Sequence, residues 1–378
     1  MSRRAEPLRI IQVGGGGMGK MWLRNIGSSP EATVVGLVDL SLEAADGARM
    51  WAGLHDLPIA TSLRTLASEI DADAVVNVTV PAAHHIVNTE AMFAGLPVLS
   101  EKPLSESVSE CLSMAAASEL TGRLLMVSQS RRYWRTLGAF RRLLAELGPI
   151  GILTCDFFNS PHFGGFREEM PQPLLVDMAI HQFDLARFLL NAEPTSVYCD
   201  SYNPEWSWFK GHATANAIFE FDNGARFSYN GSWCSPGLET SWNGAWRAST
   251  SEGSAIWDGD NTPTAMRGSA ELSGTFLDSA LGSEPEELAG SLAEFVHVVR
   301  DRSTPATEVH GNVLSVAMVE AAVRSASSGR RVQIREILDD AYTAALLTER
   351  HEDVREMLES WGSPDRFLSD EHSHMGAS

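Results

Sequence analysis

Acid–base chemistry in this chain can be built on the stretch LLVDMAIHQFDLARFLL, residues 174–190. Asp177, His181 and Asp184 are spaced by four and three, so on a helix all three project from one side of an otherwise apolar element. An imidazole titrates near neutrality and suits a general base. A carboxylate one turn before it can steady the imidazolium or bind a neighbouring hydroxyl. A lone histidine on an apolar helix is more often a satisfied core side chain, and Asp177 at its spacing is what argues for more. Asp184 has a plainer role available, as a cap or as the partner of Arg187. Ala179, Phe183, Ala186 and Leu190 are the apolar side of the helix.

A second candidate comes from scarcity. The chain has three lysines, Lys20, Lys102 and Lys210, against 26 arginines. Where arginine serves nearly every cationic position, a remaining lysine is a candidate for a site that needs an amine able to give up a proton. Codon bias produces the same ratio, so the count nominates Lys102 without assigning it.

The elements that position these groups begin with VGGGGMGK, which follows the strand LRIIQV and opens a helix. Gly14, Gly16 and Gly19 satisfy GxGxxG in the strand–turn–helix context that gives the motif meaning. Gly14 permits a tight turn, Gly16 lets the backbone approach a pyrophosphate, and Gly19 lets helix and strand pack closely. Gly17 and Met18 complete the same first turn. Asp39 stands twenty residues after Gly19 at the end of the second strand, where a carboxylate binds the ribose hydroxyls of an adenosine. Leu40 and Ser41 follow, with no arginine for a 2'-phosphate, so the expected cofactor is NAD and not NADP.

Further strands are read in DADAVVNVTV, GLPVLS and LLMVSQ, separated by amphipathic helices such as VSECLSMAAASEL. This is the pattern of a doubly wound parallel sheet, a Rossmann domain over residues 1–128. From Gly151 the runs GILTCDFFN, TSVYCDSYN, HATANAIFEF, ARFSYNGSW and AWRASTSEGSAIWD alternate with period two between Gly-rich turns. They predict a largely antiparallel open-faced sheet in an α+β substrate domain over 129–350. Two helices follow, the second closed by Gly329. Residues 351–378 are expected to form a C-terminal helix and a frayed polar tail, SDEHSHMGAS, whose His372 and His374 nothing fixes as a metal site.

Composition narrows the partners. A net charge of -20 repels phosphate, which argues against nucleic acid and against anionic membranes. The start, MSRRAEPLRIIQVGGGG, has no apolar run before its glycines, and no stretch reaches the length of a membrane span, so neither a signal peptide nor a span is expected. Cys111, Cys155, Cys199 and Cys234 have no CxxC pairing or metal spacing. They read as free thiols in a reducing cytoplasm, with no metal expected.

SEKP after a strand, TVPAAHH upstream and DMAIHQFD downstream together resemble the glucose-fructose oxidoreductase, inositol dehydrogenase and rhizopine catabolism family, Gfo/Idh/MocA. The resemblance runs from Leu8 to about Ile334. It implies Lys102 beside the nicotinamide and the substrate hydroxyl, with Asp177 and His181 as the facing D-x-x-x-H pair. It also implies Glu101 and Pro103 shaping the cofactor side, and Thr79, Pro81 and His85 on the turn beside the nicotinamide. Ala179 stands where the family usually has glycine, a departure that affects local packing only.

The resulting expectation is an NAD-dependent oxidoreductase acting on a secondary hydroxyl of a small neutral sugar, sugar derivative or cyclitol. His181 is the base, Lys102 stabilises the alkoxide, and Arg131, Tyr133, Trp134, His162, Phe163 and Arg167 line the substrate site. The six tryptophans between Trp206 and Trp257 are read first as cross-strand packing. The family also implies a homo-oligomer, dimer or tetramer, through the open sheet. Two rivals stay open. One is an NAD-dependent glycoside-cleaving enzyme that oxidises transiently and eliminates, and the other is a nucleotide-sensing regulatory protein without turnover.

Overall fold

The computed structural model describes residues 6–272 and 284–368; the expected tail with His372 and His374 lies outside them. Two compact units divide the chain, Met1–Ser130 with Pro285–Val313 and Ala341–Ser378, and Arg131–Glu284 with Leu314–Asp340. A division by contiguous sequence at 128 and 350 differs from these units. Helix Glu287–Asp301 returns to the first unit, where Arg300 donates to Glu31. Helix Glu352–Trp361 does the same, with the Trp361 indole donating to Glu119. Such returns are long-range packing, which local periodicity does not carry.

The first unit holds a six-stranded sheet in the order β3-β2-β1-β4-β5-β6, with every pair parallel. Its strands are β1 (Leu8–Val13), β2 (Ala32–Val38), β3 (Ile59–Ala60), β4 (Ala74–Asn77), β5 (Val98–Ser100) and β6 (Leu125–Val127). Helices α1 (Gly17–Ser28), α2 (Leu42–Trp51), α3 (Leu63–Glu69), α4 (Pro81–Phe93) and α5 (Val108–Thr121) alternate with them. The order reverses between β1 and β4, the switch point at whose carboxyl edge such sheets bind ligands. Five strands match the apolar runs; β3, at two residues, is too short to show as one.

The second unit carries α6 (Arg135–Glu146), the single turn α7 (Phe166–Glu169) and α8 (Ala179–Leu190) beside a nine-stranded sheet. Its strands are β7 (Ile150–Phe158), β8 (Pro194–Tyr202), β9 (Thr214–Phe221), β10 (Arg226–Ser232), β11 (Ala245–Thr250), β12 (Gly253–Trp257), β13 (Thr264–Arg267), β14 (Ala270–Glu271) and β15 (Val332–Gln333). The sheet is mostly antiparallel, but β7 and β10 pair in parallel. AWRASTSEGSAIWD is a hairpin, β11 to β12, that places Trp246 opposite Trp257. Phe183 of α8 packs on Phe219, Tyr229 and Phe227 with centroids 4.7, 5.4 and 6.4 Å away. Tyr198, Ile218, Ser228, Thr154, Arg247 and Ile256 are successive cross-strand partners and so share one face. On that row Tyr198, Ile218 and Ile256 are exposed.

The returning segments are fixed to the first unit by a charged cluster. His310 lies 2.7 Å from Glu119 through Nε2 and 2.8 Å from Glu308 through Nδ1, while Arg366 reaches Glu119 at 2.8 Å. Burial pushes the imidazolium down, but the hydrogen bonds to the two carboxylates outweigh it and raise His310 to about 9. Its folded value thus exceeds the ordinary 6.5, so its stabilisation is complete below pH 6.5 and is lost as pH rises through about 9. At pH 6, His310→Gln should cost about 2 kcal/mol in thermal or denaturant unfolding. The gap to the parent protein should close above pH 9, and a gap that persists at pH 10 contradicts the ion-pair account.

Candidate active site

The turn between β1 and α1 is shaped by two close backbone approaches. Gly14 has φ +105°, and a Cβ on it would lie 2.5 Å from the Val78 carbonyl oxygen. A Cβ on Gly19 would lie 2.3 Å from the Gly14 carbonyl oxygen. Gln12 Nε2 donates to the Gly14 and Gly19 carbonyls at 2.8 and 2.9 Å, which fixes the turn from beneath. Above it the structure is open. A Cβ on Gly16 or Gly17 would meet nothing within 4 Å, no side chain caps the helix at Gly16, and the first turn holds no acidic residue. The first-turn N–H groups and the helix dipole therefore favour an anion there.

Asp39, at the end of β2, accepts the Gly15 N–H at 2.8 Å and the Ser41 N–H at 3.0 Å. Each carboxylate oxygen keeps acceptor capacity for a ribose hydroxyl. Met18, Leu40 and Val80, at the carboxyl ends of β1, β2 and β4, are exposed apolar side chains. An open N-terminal turn, an oriented carboxylate and an apolar rim along one sheet edge fit a dinucleotide.

The loop after β5 carries Lys102, half-buried, ahead of a cis Lys102–Pro103 peptide. Glu101 faces inward: Oε1 accepts the Trp22 indole N–H at 2.8 Å and Oε2 the Lys102 N–H at 3.1 Å. Burial raises its pKa against those hydrogen bonds. Glu101 thus ties Lys102 to α1.

His84, absent from the expected site, is fully buried, with Nδ1 2.7 Å from the Pro103 carbonyl oxygen and Nε2 3.1 Å from that of Thr79. It joins the loops that follow β4 and β5. Thr79 in turn donates through Oγ1 to Asn77 at 2.7 Å, and Pro81 opens α4. His85, expected on this turn, lies in α4 with its side chain 3.7 Å from Glu349. Neighbouring residues on a helix cannot share a face, and His84, Asn88 and Ala91, spaced by four and three, are all buried. That spacing is the signal that selects His84 as the inward residue.

In the second unit, Leu174–Met178 is a π turn, with the Ala179 N–H bonded to the Leu174 carbonyl, and α8 follows. One continuous α-helix was the simpler expectation. In a turn closed from i to i+5 a residue four later sits just short of a full turn, so Asp177 and His181 still share a side. π turns recur at functional sites. His181 is 7% exposed. Asp177 accepts Arg167 Nε at 2.6 Å, and the Arg167 guanidinium lies 5.3 Å from the Phe163 ring and 5.0 Å from the Phe166 ring. Phe163, Arg167 and Asp177 are thereby brought together.

Other expected residues have different surroundings. Arg131 donates to Trp242 O and Asn243 Oδ1, a commitment to the loop before β11. Tyr133 and Trp134 are half-exposed, and His162 stacks on Trp208 with centroids 3.9 Å apart. Asp184 accepts two hydrogen bonds from Arg132, at 2.7 and 2.8 Å, while Arg187 makes its two-point bond with Glu193 at 2.6 and 2.7 Å. The helical i, i+3 pairing expected of Asp184 is thus displaced by a tertiary partner. Lys102 belongs to the first unit, and Asp177 and His181 to the second.

A family described as an oxidoreductase family with an NAD-binding Rossmann fold matches residues 8–129, and the GFO/IDH/MocA C-terminal domain matches 140–256. The chain belongs to the Gfo/Idh/MocA family and is an NAD-binding oxidoreductase. It is 28% identical over 348 residues to the uncharacterized protein y4oX of Sinorhizobium fredii, covering 87% of this chain and 96% of that one. Inositol 2-dehydrogenase 4 of Saccharopolyspora erythraea is 31% identical over 194 residues, 50% of this chain and 56% of that one. An oxidoreductase from Agrobacterium radiobacter, solved with NAD+, L-tartaric acid and magnesium, shares the fold with a TM-score of 0.75 at 19% identity, covering 88% and 99% of the two chains.

The glycines make separable predictions. Gly16→Ala has room for its methyl group, so unfolding should be unchanged while NAD affinity, measured by calorimetry, falls about tenfold or more as the methyl group enters the anion cradle. Gly19→Ala should lower stability and NAD affinity together, because the turn itself must open. Unchanged NAD binding by Gly16→Ala would remove the cradle from the account.

Proposed function

We propose that this protein oxidises a secondary hydroxyl of a small neutral sugar, sugar derivative or cyclitol, with NAD as acceptor. The observation that carries this reading is Asp177 and His181 on one side of the junction between the π turn and α8, with Phe163 and Phe166 exposed around the Arg167 partner of Asp177. A planar polar pair bordered by aromatic rings suits a polyol, whose hydroxyls hydrogen-bond in its mean plane while its C–H faces are apolar. The inositol 2-dehydrogenase relative of Saccharopolyspora erythraea supports a cyclitol as one member of the class.

NAD supplies the hydride acceptor when bound. Gly14, Gly16, Gly17, Met18 and Gly19 would hold its pyrophosphate, Asp39 its ribose, and Thr79 and Pro81 would border its nicotinamide end. His181 removes the hydroxyl proton as the carbon loses hydride, Lys102 donates to the oxygen as its charge develops, and Asp177 binds a neighbouring hydroxyl. The product is the ketone, with one proton left on the base. Two further expectations accompany this reading. The exposed row on the sheet of the second unit supports a homo-oligomer through that face. The four cysteines, buried and in no disulfide, suit a reducing cytoplasm, and among the described residues no helix is long and apolar enough to cross a membrane.

The test is NADH formation over a panel of aldoses, anhydrosugars, glycosides and inositols. His181→Asn should lower turnover by roughly 10²- to 10⁴-fold and leave NAD affinity near its parent value; loss of NAD binding instead would make the histidine structural. Oxidation should rise with pH as an imidazole loses its proton. Lys102→Arg should bind NAD and lose most turnover, since a planar guanidinium is larger and remains charged; nearly full activity would exclude the amine. Asp39→Ala should narrow the preference for NAD over NADP, and equal affinities in the parent protein would refute that residue's role.

A further inference from the structure

We propose that His84 is a positioning residue for hydride transfer: its ring holds the Thr79 turn and the Lys102 loop at one fixed spacing, so that the nicotinamide and the substrate oxygen are presented together. This inference rests on the reading of Thr79 as bordering the nicotinamide and of Lys102 as the donor to that oxygen.

The two loops leave neighbouring parallel strands, β4 and β5, whose last residues Asn77 and Ser100 are paired. Two inward side chains of α4, one turn apart, join them. His84 places Nδ1 2.7 Å from the Pro103 carbonyl oxygen and Nε2 3.1 Å from that of Thr79. Asn88 accepts from Asn77 Nδ2 at 2.8 Å and donates to Ser100 Oγ at 3.1 Å. Asn77 Oδ1 accepts both the N–H and the hydroxyl of Thr79, at 3.1 and 2.7 Å, and Ser100 Oγ donates to the Glu101 carbonyl at 3.3 Å. These contacts close a ring from Thr79 through Asn77, Asn88 and Ser100 to the Lys102 loop, and back through His84. His84, Asn77, Asn88 and Ser100 are wholly buried, whereas Lys102 is half-buried and Val80, next to Thr79, is exposed. A buried polar network with its partners in place fixes one arrangement where apolar packing tolerates several. The brace therefore lies behind the two loops and sets how they face outward.

The two nitrogens of His84 have separate duties. Burial lowers its pKa against the pull of the Pro103, Thr79 and Leu104 backbone, so the ring is neutral near pH 7. A neutral imidazole has one N–H. The shorter contact takes it, which makes Pro103 the hydrogen-bonded side and Thr79 the side on which the ring rests. Each side can be removed alone. An asparagine amide reaches as far as Nδ1 and stops short of Nε2, whereas a glutamine amide reaches Nε2 and bypasses Nδ1. His84→Asn therefore keeps the Pro103 contact and releases the Thr79 turn. His84→Gln supports Thr79 and releases the Lys102 loop.

The experiment titrates NADH and ADP-ribose, which lacks the nicotinamide, into the parent protein and both variants by calorimetry, with thermal unfolding checked first. ADP-ribose affinity should stay within about twofold of the parent value in both variants, because the glycine turn and Asp39 are untouched. His84→Asn should reduce the preference for NADH over ADP-ribose by about fivefold or more. His84→Gln should keep that preference while polyol turnover falls by about tenfold or more. A residue that served stability alone would weaken both ligands together. Equal losses of NADH and ADP-ribose binding, an unchanged NADH preference in His84→Asn, or full turnover by His84→Gln overturns the inference. If the parent protein oxidises no polyol, the oxidation reading fails, and the NADH preference of His84→Asn alone decides the role of His84.

Discussion

Gly14 is pressed against the backbone of one strand while Gly19 is pressed against Gly14, and the architecture of the first unit follows from that double contact. Because β4 lies beside β1, the turn leaving β1 passes the Val78 carbonyl too closely for any side chain. The second approach lays α1 down on the sheet, so that Trp22, on its inner side, is wholly buried and its indole N–H meets Glu101. Glu101 then holds the amide of Lys102. One steric constraint therefore governs both the anion-binding helix terminus and the placement of the lysine loop.

Buried polar groups of the first unit extend the same logic. His84 stands between two carbonyl oxygens, on the Thr79 turn and on Pro103, and so ties those two loops together. The outer side of α4 is braced by the returning C-terminal segment: Phe93 stacks on His351 at 5.2 Å and His85 faces Glu349. Burial pushes the Glu349 carboxyl up, but the facing His85 imidazole at 3.7 Å, the His351 amide and Ser113 outweigh it and hold it at about 2. Helix α4 is thus held from both sides.

The helix bearing His181 is set by a different device. Behind it, Arg132, Asp184, Ser315, Arg187 and Glu193 form a connected, largely buried network, with Ser315 Oγ donating to Asp184 at 2.8 Å and accepting from Arg187 at 2.8 Å. Leaving one of these charges unpaired in the interior would cost several kcal/mol, so the network fixes how α8 is rotated about its axis. Asp177, on the π turn, pairs with a half-exposed arginine instead. Of the two carboxylates, four residues before and three after His181, the buried one is held by the interior network and the partly exposed one by a partner at the surface.

Local pattern alone determined the parallel sheet, the glycine turn, Asp39 at the end of β2, and the Asp177 and His181 spacing, because periodicity, turn chemistry and motif offsets act over a few residues. It also marked Phe183 and its neighbours as core. The two-residue β3 and the parallel pairing of β7 with β10 were decided by tertiary structure, since neither leaves a run long enough, or a connection distinctive enough, to read. The same holds for Arg132 as partner of Asp184, 52 residues away, and for Arg167 as partner of Asp177 across the turn of α7. His84 and His85 show the boundary most sharply. Two identical adjacent side chains differ in role because only one side of α4 faces the interior, and which side that is depends on the sheet beneath it.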